Sequence, residues 1–124
     1  MRKILIVDDD NHIRRLYDEF FTRAGYRVYT AADETEVFKL VATEKFVAVI
    51  LDIELEKTSG LSVMEHLKTD YPDIPVILNT AYTTYKSDFH TWLADAYFVK
   101  SSNLESLREK IEEIAAYDAR TEQA

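Results

Sequence analysis

The stretch KILIVDDD, residues 3–10, joins a short continuous apolar run to three consecutive acids. An apolar run rich in β-branched residues, without polar alternation, is typical of a strand that is covered on both faces. An amphipathic pattern follows from Ile13 to Ala24, with Asp10 or Asn11 placed to cap a helix and Gly25 placed to end it. The stretch therefore predicts a buried β-strand that leads directly into an α-helix.

The same alternation of strand and helix continues along the chain. Five strand–helix units in succession favour a parallel sheet with helices on both faces, because each crossover must be right-handed. The chain is too short for a closed eight-fold barrel. We therefore expect an α/β fold with a doubly wound, five-stranded parallel sheet and, by analogy with flavodoxin-like sheets, the strand order 2-1-3-4-5. The further strands are predicted at residues 26–30, 46–51, 74–78 and 96–99, and the further helices at 33–41, 60–71, 84–93 and 104–117.

The composition is that of one acidic globular domain. The chain has 124 residues, of which 47% are apolar, and its net charge is −8. This charge disfavours nucleic-acid binding, which needs clustered cations. The absence of cysteine excludes disulfides and thiolate zinc sites, and no apolar run is long enough for a membrane span. We expect a cytoplasmic domain at residues 1–118, followed by a frayed polar tail at 119–124, with neither nucleic acid nor membrane as a partner.

Polar residues of complementary chemistry follow four of the predicted strands. Asp8 and Asp9 end the first strand, Asp52 ends the third, Thr80 the fourth and Lys100 the fifth. Ligands of such sheets bind at the carboxyl ends of the strands, beside the switch in strand order. Carboxylates brought together there repel one another unless a cation lies between them, and Mg²⁺ is the usual oxygen-seeking ion. Alone, each residue would be an ordinary cap or loop residue; together they suit the transfer of a phosphoryl group to a carboxylate.

Five short motifs occur together in this chain, and their combination is specific. With them the chain resembles the receiver domain of response regulators in two-component signal transduction, from about residue 2 to residue 116. The motifs are Ile6–Asp10, Val49–Ile53, Thr58–Leu61, Asn79–Ala81 and Asp95–Lys100.

The resemblance implies a role for each residue at the sheet edge. Asp52 would accept a phosphoryl group from a sensor histidine kinase or a histidine phosphotransfer protein. Thr80 would bond a phosphoryl oxygen, Lys100 would pair with it, and Tyr97 would change rotamer together with Thr80. The implied metal is Mg²⁺, for which Mn²⁺ can substitute. Its protein ligands would be Asp8, Asp9, Asp52 and the backbone carbonyl of Glu54.

The resemblance also implies how the signal leaves the domain. A downstream target or effector domain would contact the face formed by the fourth predicted helix, the fifth strand and the last helix. The chain would then be a signalling domain, which catalyses only its own phosphoryl transfer and dephosphorylation. It would not be a classical enzyme.

The chain departs from the family pattern in three places, one of them a residue pair. Ser101 stands where a proline is usual, Leu55-Glu56 where a Met-Pro pair is common, and Leu93 where a glycine is common. Because a non-proline cis bond costs about 3 kcal/mol, we expect a trans Lys100–Ser101 bond and an altered loop after it.

Two alternative functions remain open from the sequence. One is a pseudo-receiver that keeps the fold as an unphosphorylated interaction module. The other is a phosphatase with Asp8 as nucleophile, because Asp8 and Asp10 form an Asp-x-Asp pair after the first strand. A flavin site is disfavoured because acids replace the Gly/Ser/Thr-rich phosphate loop that it needs.

Overall fold

The structure is a computed structural model that describes residues 1–81, 94–100 and 103–123, the last seven by their backbone alone. Within this part of the chain it has five strands and four helices. The helix predicted at residues 84–93 and the Lys100–Ser101 bond lie outside the described residues. The elements are β1 (Lys3–Val7), α1 (Asn11–Arg23), β2 (Arg27–Ala31), α2 (Glu34–Thr43), β3 (Ala48–Leu51), α3 (Gly60–Asp70), β4 (Val76–Thr80), β5 (Ala96–Val99) and α4 (Glu105–Gln123).

The five strands form one parallel sheet in the order β2-β1-β3-β4-β5. This confirms the predicted class and strand order. The order switches at β1, which has β2 on one side and β3 on the other. Val7, the last residue of β1, pairs with Ala31 of β2 and with Leu51 of β3. The residues that follow these strand ends are therefore neighbours at one edge of the sheet.

Helices cover both faces of the sheet, as expected for strands that are apolar on both sides. Helices α2 and α3 pack on one face through Val37, Val41, Val63, Met64 and Leu67. Helices α1 and α4 pack on the other through Tyr17, Phe21, Leu107 and Ile111. The two apolar layers hold the sheet rigidly, so the strand ends have fixed positions relative to one another.

The helix boundaries follow the capping residues of the sequence. Asp10 caps α1, Asp33 caps α2 and Ser59 caps α3, each by accepting hydrogen bonds from backbone N–H groups of the first turn. Gly25, just after α1, has a φ of 98°, a left-handed conformation that favours glycine. The predictions of Asp33 as a cap, and of Gly25 as the end of the first helix, are confirmed.

Three strands have bounds that differ from the sequence prediction. Strand β2 spans Arg27–Ala31 rather than residues 26–30, β3 begins at Ala48 rather than at residue 46, and β4 spans Val76–Thr80 rather than residues 74–78. Pro75 has no N–H for the ladder, so regular pairing of β4 begins after it. The strand then continues through two polar residues, Asn79 and Thr80, which pair with β5. The apolar pattern locates the strand but not its polar end.

The last helix is longer than the predicted tail allows. Its backbone stays helical to Gln123, past the predicted domain boundary at residue 118. Ala119, Arg120 and Glu122 are good helix formers, and no Gly or Pro interrupts them. The boundary at 118 itself stays a prediction.

Candidate functional site

Three carboxylates meet at the carboxyl edge of the sheet, as the strand order requires. Oxygen atoms of Asp8, Asp9 and Asp52 all lie within 4.8 Å of one another. Asp8 and Asp52 are 2% and 4% exposed, whereas Asp9 is partly exposed. Like charges this close and this little hydrated repel strongly, so the arrangement needs positive charge.

Lys100 supplies positive charge between two of these acids. Its Nζ lies 2.7 Å from Oδ2 of Asp8 and 3.1 Å from Oδ2 of Asp52. Its backbone N–H donates to the carbonyl of Thr80 at 2.6 Å, so the residue is held by β4 as well. Burial alone would lower the pKa of Lys100, but the hydrogen bond and the charge of Asp8 outweigh it and the pKa is raised. The ammonium group is therefore charged at neutral pH.

Asp52 titrates unusually because it is buried among like charges. Burial, and secondarily the charge of Asp8, raise the pKa of Asp52 to about 6, against the opposing effect of Lys100. Its Oδ1 accepts a hydrogen bond of 3.1 Å from the backbone N–H of Glu54, and its Oδ2 faces Lys100. The carboxylate is thus oriented through both of its oxygens.

The third acid of the run serves a different purpose. The carboxylate of Asp10 accepts from the backbone N–H groups of His12 at 2.8 Å and Ile13 at 3.4 Å. These bonds, His12 first, hold the pKa of Asp10 below its usual range. Its own N–H donates to Oδ1 of Asp8 at 2.9 Å. Asp10, one of the two cap candidates from the sequence, therefore caps α1, and its carboxylate is engaged in these hydrogen bonds.

The loop after Asp52 folds back against the acid it follows. Gly60 N–H donates to the carbonyl of Ile53 at 2.7 Å, and Glu54 forms a β-bridge with Ser59. A Cβ atom on Gly60 would collide with the carbonyl oxygen of Asp52 and lie 2.6 Å from Cα of Ile53. The close approach of α3 thus requires glycine. The metal role of the Glu54 carbonyl stays a prediction.

Thr80 and Tyr97 occupy the neighbouring strands β4 and β5. Thr80 is fully buried, while Tyr97 is partly buried and packs against the same apolar layer as Leu78, its partner in the strand register. Because side chains alternate along a strand, Thr80 and Leu78 share a face, so Thr80 and Tyr97 are on the same side of the sheet. Burial raises the pKa of Tyr97. Their coupled movement stays a prediction.

Two contacts at the site were not predicted from the sequence. Nη1 of Arg14 donates to the backbone carbonyl of Asp8 at 2.6 Å. Nδ2 of Asn79 donates to the hydroxyl of Tyr17 at 2.8 Å, and both side chains are buried. The available signals were a polar residue at the end of an apolar strand and an arginine beside the apolar face of the first helix.

The donor set fits a hard divalent cation. All three carboxylates offer oxygen, the ligand type that Mg²⁺ prefers, and one of them faces solvent, from which the ion and its waters can enter. Lys100 leaves the group of three acids with net negative charge.

A family model described as the response regulator receiver domain matches residues 4–112 of the chain. The chain belongs to this family. Receiver domains act in two-component phosphorelay signalling, and the match covers the five strands, apart from Lys3 at the start of β1, and the first eight residues of α4. The recognition made from the five motifs is confirmed.

Individual relatives support the same assignment. The chain is 34% identical over 114 residues to the probable transcriptional regulator ycf27 of Cyanidium caldarium, covering 90% of this chain and 45% of that protein. It thus spans about half the length of this curated relative. The solved structure of response regulator TrrA from Thermotoga maritima, in complex with Mg²⁺-BeF, is 40% identical, with a TM-score of 0.88 over 92% of this chain and 99% of that one.

TrrA has also been solved in complex with the histidine kinase ThkA. This receiver superimposes on that TrrA chain with a TM-score of 0.86 at 40% identity. The superposition covers 92% of this chain and 98% of that one. These relatives are signalling proteins, which favours a signalling role over that of a classical enzyme. Among the residues that the structure describes, no helix is long and apolar enough to cross a membrane.

Proposed function

We propose that this receiver accepts a phosphoryl group on Asp52 from a histidine kinase or a histidine phosphotransfer protein. The observation that carries the proposal is the meeting of Asp8, Asp9 and Asp52 within 4.8 Å, with Lys100 between two of them. TrrA, which is similar to this chain, is found with Mg²⁺-BeF and with a histidine kinase. A Mg²⁺-BeF complex and a histidine kinase are both suitable partners for a carboxylate that takes up phosphoryl groups.

The donor of the phosphoryl group to Asp52 would be a phosphohistidine of the kinase or the phosphotransfer protein. A carboxylate oxygen of Asp52 forms a bond to phosphorus while the phosphorus–nitrogen bond of the donor breaks. The electron pair goes to the imidazole nitrogen, which takes up a proton from solvent, and the product is an acyl phosphate. Asp52 must be ionised to attack, and its Glu54 N–H and Lys100 bonds favour the ionised form. Lys100 then faces both the phosphoryl group and Asp8.

The residues that would hold Mg²⁺ are Asp8, Asp9, Asp52 and the backbone carbonyl of Glu54. The ion supplies positive charge that offsets repulsion between the carboxylates and the incoming phosphoryl oxygens. Mn²⁺, which accepts the same oxygen ligands, would substitute for it. Lys100 contributes the fixed positive charge that this chain carries itself.

The phosphoryl group would be sensed through Thr80. A tetrahedral anion on Asp52 attracts the Thr80 hydroxyl, and Tyr97 on the same side of the sheet fills the space released. The altered surface would be the face expected from the sequence, with the helix predicted at residues 84–93 beside β5 and α4, and an effector domain or separate target would bind there. A transcriptional regulator about twice as long, as in the ycf27 relatives, is one arrangement that fits.

The test is intact-mass measurement after incubation with a small phosphodonor and Mg²⁺. We expect the wild-type chain to gain one phosphoryl group and Asp52→Asn to gain none. The matched control is Asp10→Asn, which removes a neighbouring acid but keeps a side chain able to cap α1. This control should be labelled like the wild type.

The outcomes separate the three functions left open by the sequence. Undiminished labelling of Asp52→Asn would contradict the proposal. Loss of labelling in both Asp8→Asn and Asp10→Asn, with Asp52→Asn unaffected, would favour the phosphatase. No labelling of a folded wild-type chain by the phosphodonor or by phosphorylated kinase would favour the pseudo-receiver.

A further inference from the structure

Arg14 holds the backbone of the acidic loop from the side of α1. Its Nη1 donates to the carbonyl oxygen of Asp8 at 2.6 Å, and its Nη2 donates to Oδ1 of Asn11 at 2.9 Å. The side chain is partly buried, whereas that of Arg15, the next residue on the same helix, is exposed. Arg14 is therefore fixed by two bonds between the end of β1 and the start of α1.

The hydrogen bond from Arg14 to the Asp8 carbonyl also affects the position of Asp9. That carbonyl belongs to the planar peptide group that joins Asp8 to Asp9, so its direction fixes the direction in which the chain enters Asp9. The Asp8 N–H is already bound to the carbonyl of Ala31 in β2, and the Asp8 carboxylate to Asp10 N–H and Lys100. Asp9 is the least buried of the three clustered acids, and Arg14 fixes the Asp8–Asp9 peptide group that leads into it.

We propose that Arg14 is a positioning residue for the metal site: by holding the Asp8–Asp9 peptide, it aims the Asp9 carboxylate at Asp8 and Asp52. This inference rests on the proposed function, because it assumes that these acids bind Mg²⁺. Arg14 touches neither the ion nor the phosphoryl group in this role. It acts through the backbone of residues that do.

The charge of Arg14 would act in the opposite direction. A cation beside the cluster repels Mg²⁺, so removal of the charge alone would tighten metal binding. Loss of the planar two-point hydrogen bonding would weaken it, and lysine cannot reproduce that geometry although it keeps the charge. The two contributions are therefore distinguished by comparing Arg14→Lys with Arg14→Gln.

The experiment is a titration of Mg²⁺ into the full chain, followed by the NMR shifts of backbone amides, at a temperature well below Tm. We expect Arg14→Lys to raise the Kd for Mg²⁺ about tenfold, at the lower end of the effects that outer partners of metal ligands have. Arg14→Gln should raise the Kd by less, because the loss of positive charge partly offsets the loss of the two hydrogen bonds. Arg15→Gln, with the same charge change on the same helix, should stay within about twofold of wild type. Labelling rates at saturating Mg²⁺ should recover in the Arg14 variants.

Each contrary result has a separate meaning. Wild-type affinity in both Arg14 variants would overturn the inference while leaving the proposed function intact. Wild-type affinity in Arg14→Lys with tighter binding in Arg14→Gln would show that only charge matters, and would also overturn it. An Asp9→Ala variant with the same response to Mg²⁺ as the wild-type chain would contradict both proposals.

Discussion

Lys100 carries one positive charge between the carboxylates of Asp8 and Asp52, and all three groups are largely withdrawn from water. Removing one member of such a buried pair leaves its partner uncompensated, which costs more than the pair itself contributes. The sequence predicted Lys100 as a partner of the phosphoryl group. The structure adds that Lys100 pairs with both Asp8 and Asp52 in the unmodified chain.

Gly60 is the residue whose replacement most directly disturbs Asp52. In Gly60→Ala the new methyl group would meet the backbone of Asp52 and Ile53, which cannot turn aside as a flexible side chain could. We expect a loss of about 1–3 kcal/mol in the free energy of unfolding, as for other overpacked positions. The rate of labelling by a phosphodonor should fall as well, because the Asp52 backbone must shift. Urea denaturation and intact-mass kinetics measure the two effects.

Gly25 provides the control for this substitution. It has a positive φ of 98°, but nothing lies within 4 Å of its missing Cβ. Gly25→Ala should cost about 1 kcal/mol through backbone strain and leave the labelling rate unchanged. Equal labelling rates for the Gly60 variant and the Gly25 variant would contradict the role assigned to Gly60.

The helix α4 is tied to the start of the sheet by a bond between elements. The hydroxyl of Tyr26 donates to Oε1 of Glu112 at 2.6 Å, and Arg2 reaches the other carboxylate oxygen at 3.2 Å. Burial, followed by the charge and hydrogen bond of Glu112, raises the pKa of Tyr26 to about 12. The hydrogen bond of Tyr26 in turn helps to lower the pKa of Glu112.

This pair predicts a loss of stability in alkali. The neutral hydroxyl is favoured in the folded state, so the contribution of Tyr26 is complete below its unfolded pKa of about 10. It is lost as the pH rises from 10 through 12, by up to about 1.4 kcal/mol per pH unit. We expect Tyr26→Phe to be less stable at neutral pH and to lose less stability across that window. Urea unfolding at several pH values tests this, and parallel losses in the two proteins would contradict it.

At the level of elements, the sequence predicted which apolar residues belong to a strand better than it predicted which polar residues do. Strand β4 was placed two residues early because the apolar run begins at Ile74, whereas the ladder begins after Pro75. Asn79 and Thr80 extend the strand although both are polar, because their backbones pair with the neighbouring strand β5. Both residues are buried there, and the side chain of Asn79 donates a hydrogen bond to the hydroxyl of Tyr17. A long-range partner of this kind has no local signature in the sequence.

The whole molecule should respond to Mg²⁺ as a ligand of the folded state. The acids that cluster at the sheet edge come from β1 and β3, which are apart in the unfolded chain, so the ion would bind the native fold preferentially. Mass action then stabilises the fold by about 1.4 kcal/mol when Mg²⁺ is at ten times its Kd. We expect millimolar Mg²⁺ to raise Tm, and Asp9→Ala to lose most of that increase.

A thermal melt of both proteins with Mg²⁺ and with a monovalent salt of the same ionic strength makes this measurement. The salt control removes the general screening of a chain whose net charge is −8. Equal increments in wild type and Asp9→Ala would show that the ion acts elsewhere.

The alternation of strands and helices predicted the fold class, and the strand order, expected by analogy with flavodoxin-like sheets, placed Asp8 and Asp52 side by side. What the order did not predict was the direction of each side chain. Asp9 and Asp10 are adjacent and chemically identical, yet Asp9 joins the cluster and Asp10 caps α1. Only the turn of the backbone, fixed by bonds from other elements, distinguishes them.

The position of Lys100 late in the chain also has a consequence for biosynthesis. Asp8 and Asp52 leave the ribosome first, and the lysine that pairs with both follows Asp52 by 48 residues. At typical rates of translation that interval is about 2–10 seconds. During that time the nascent β1 and β3 carry their acids without this cation, so the acidic edge is completed only when the fifth strand has been made. Pairing between the first and third strands on the ribosome should therefore be weaker than pairing in the finished chain.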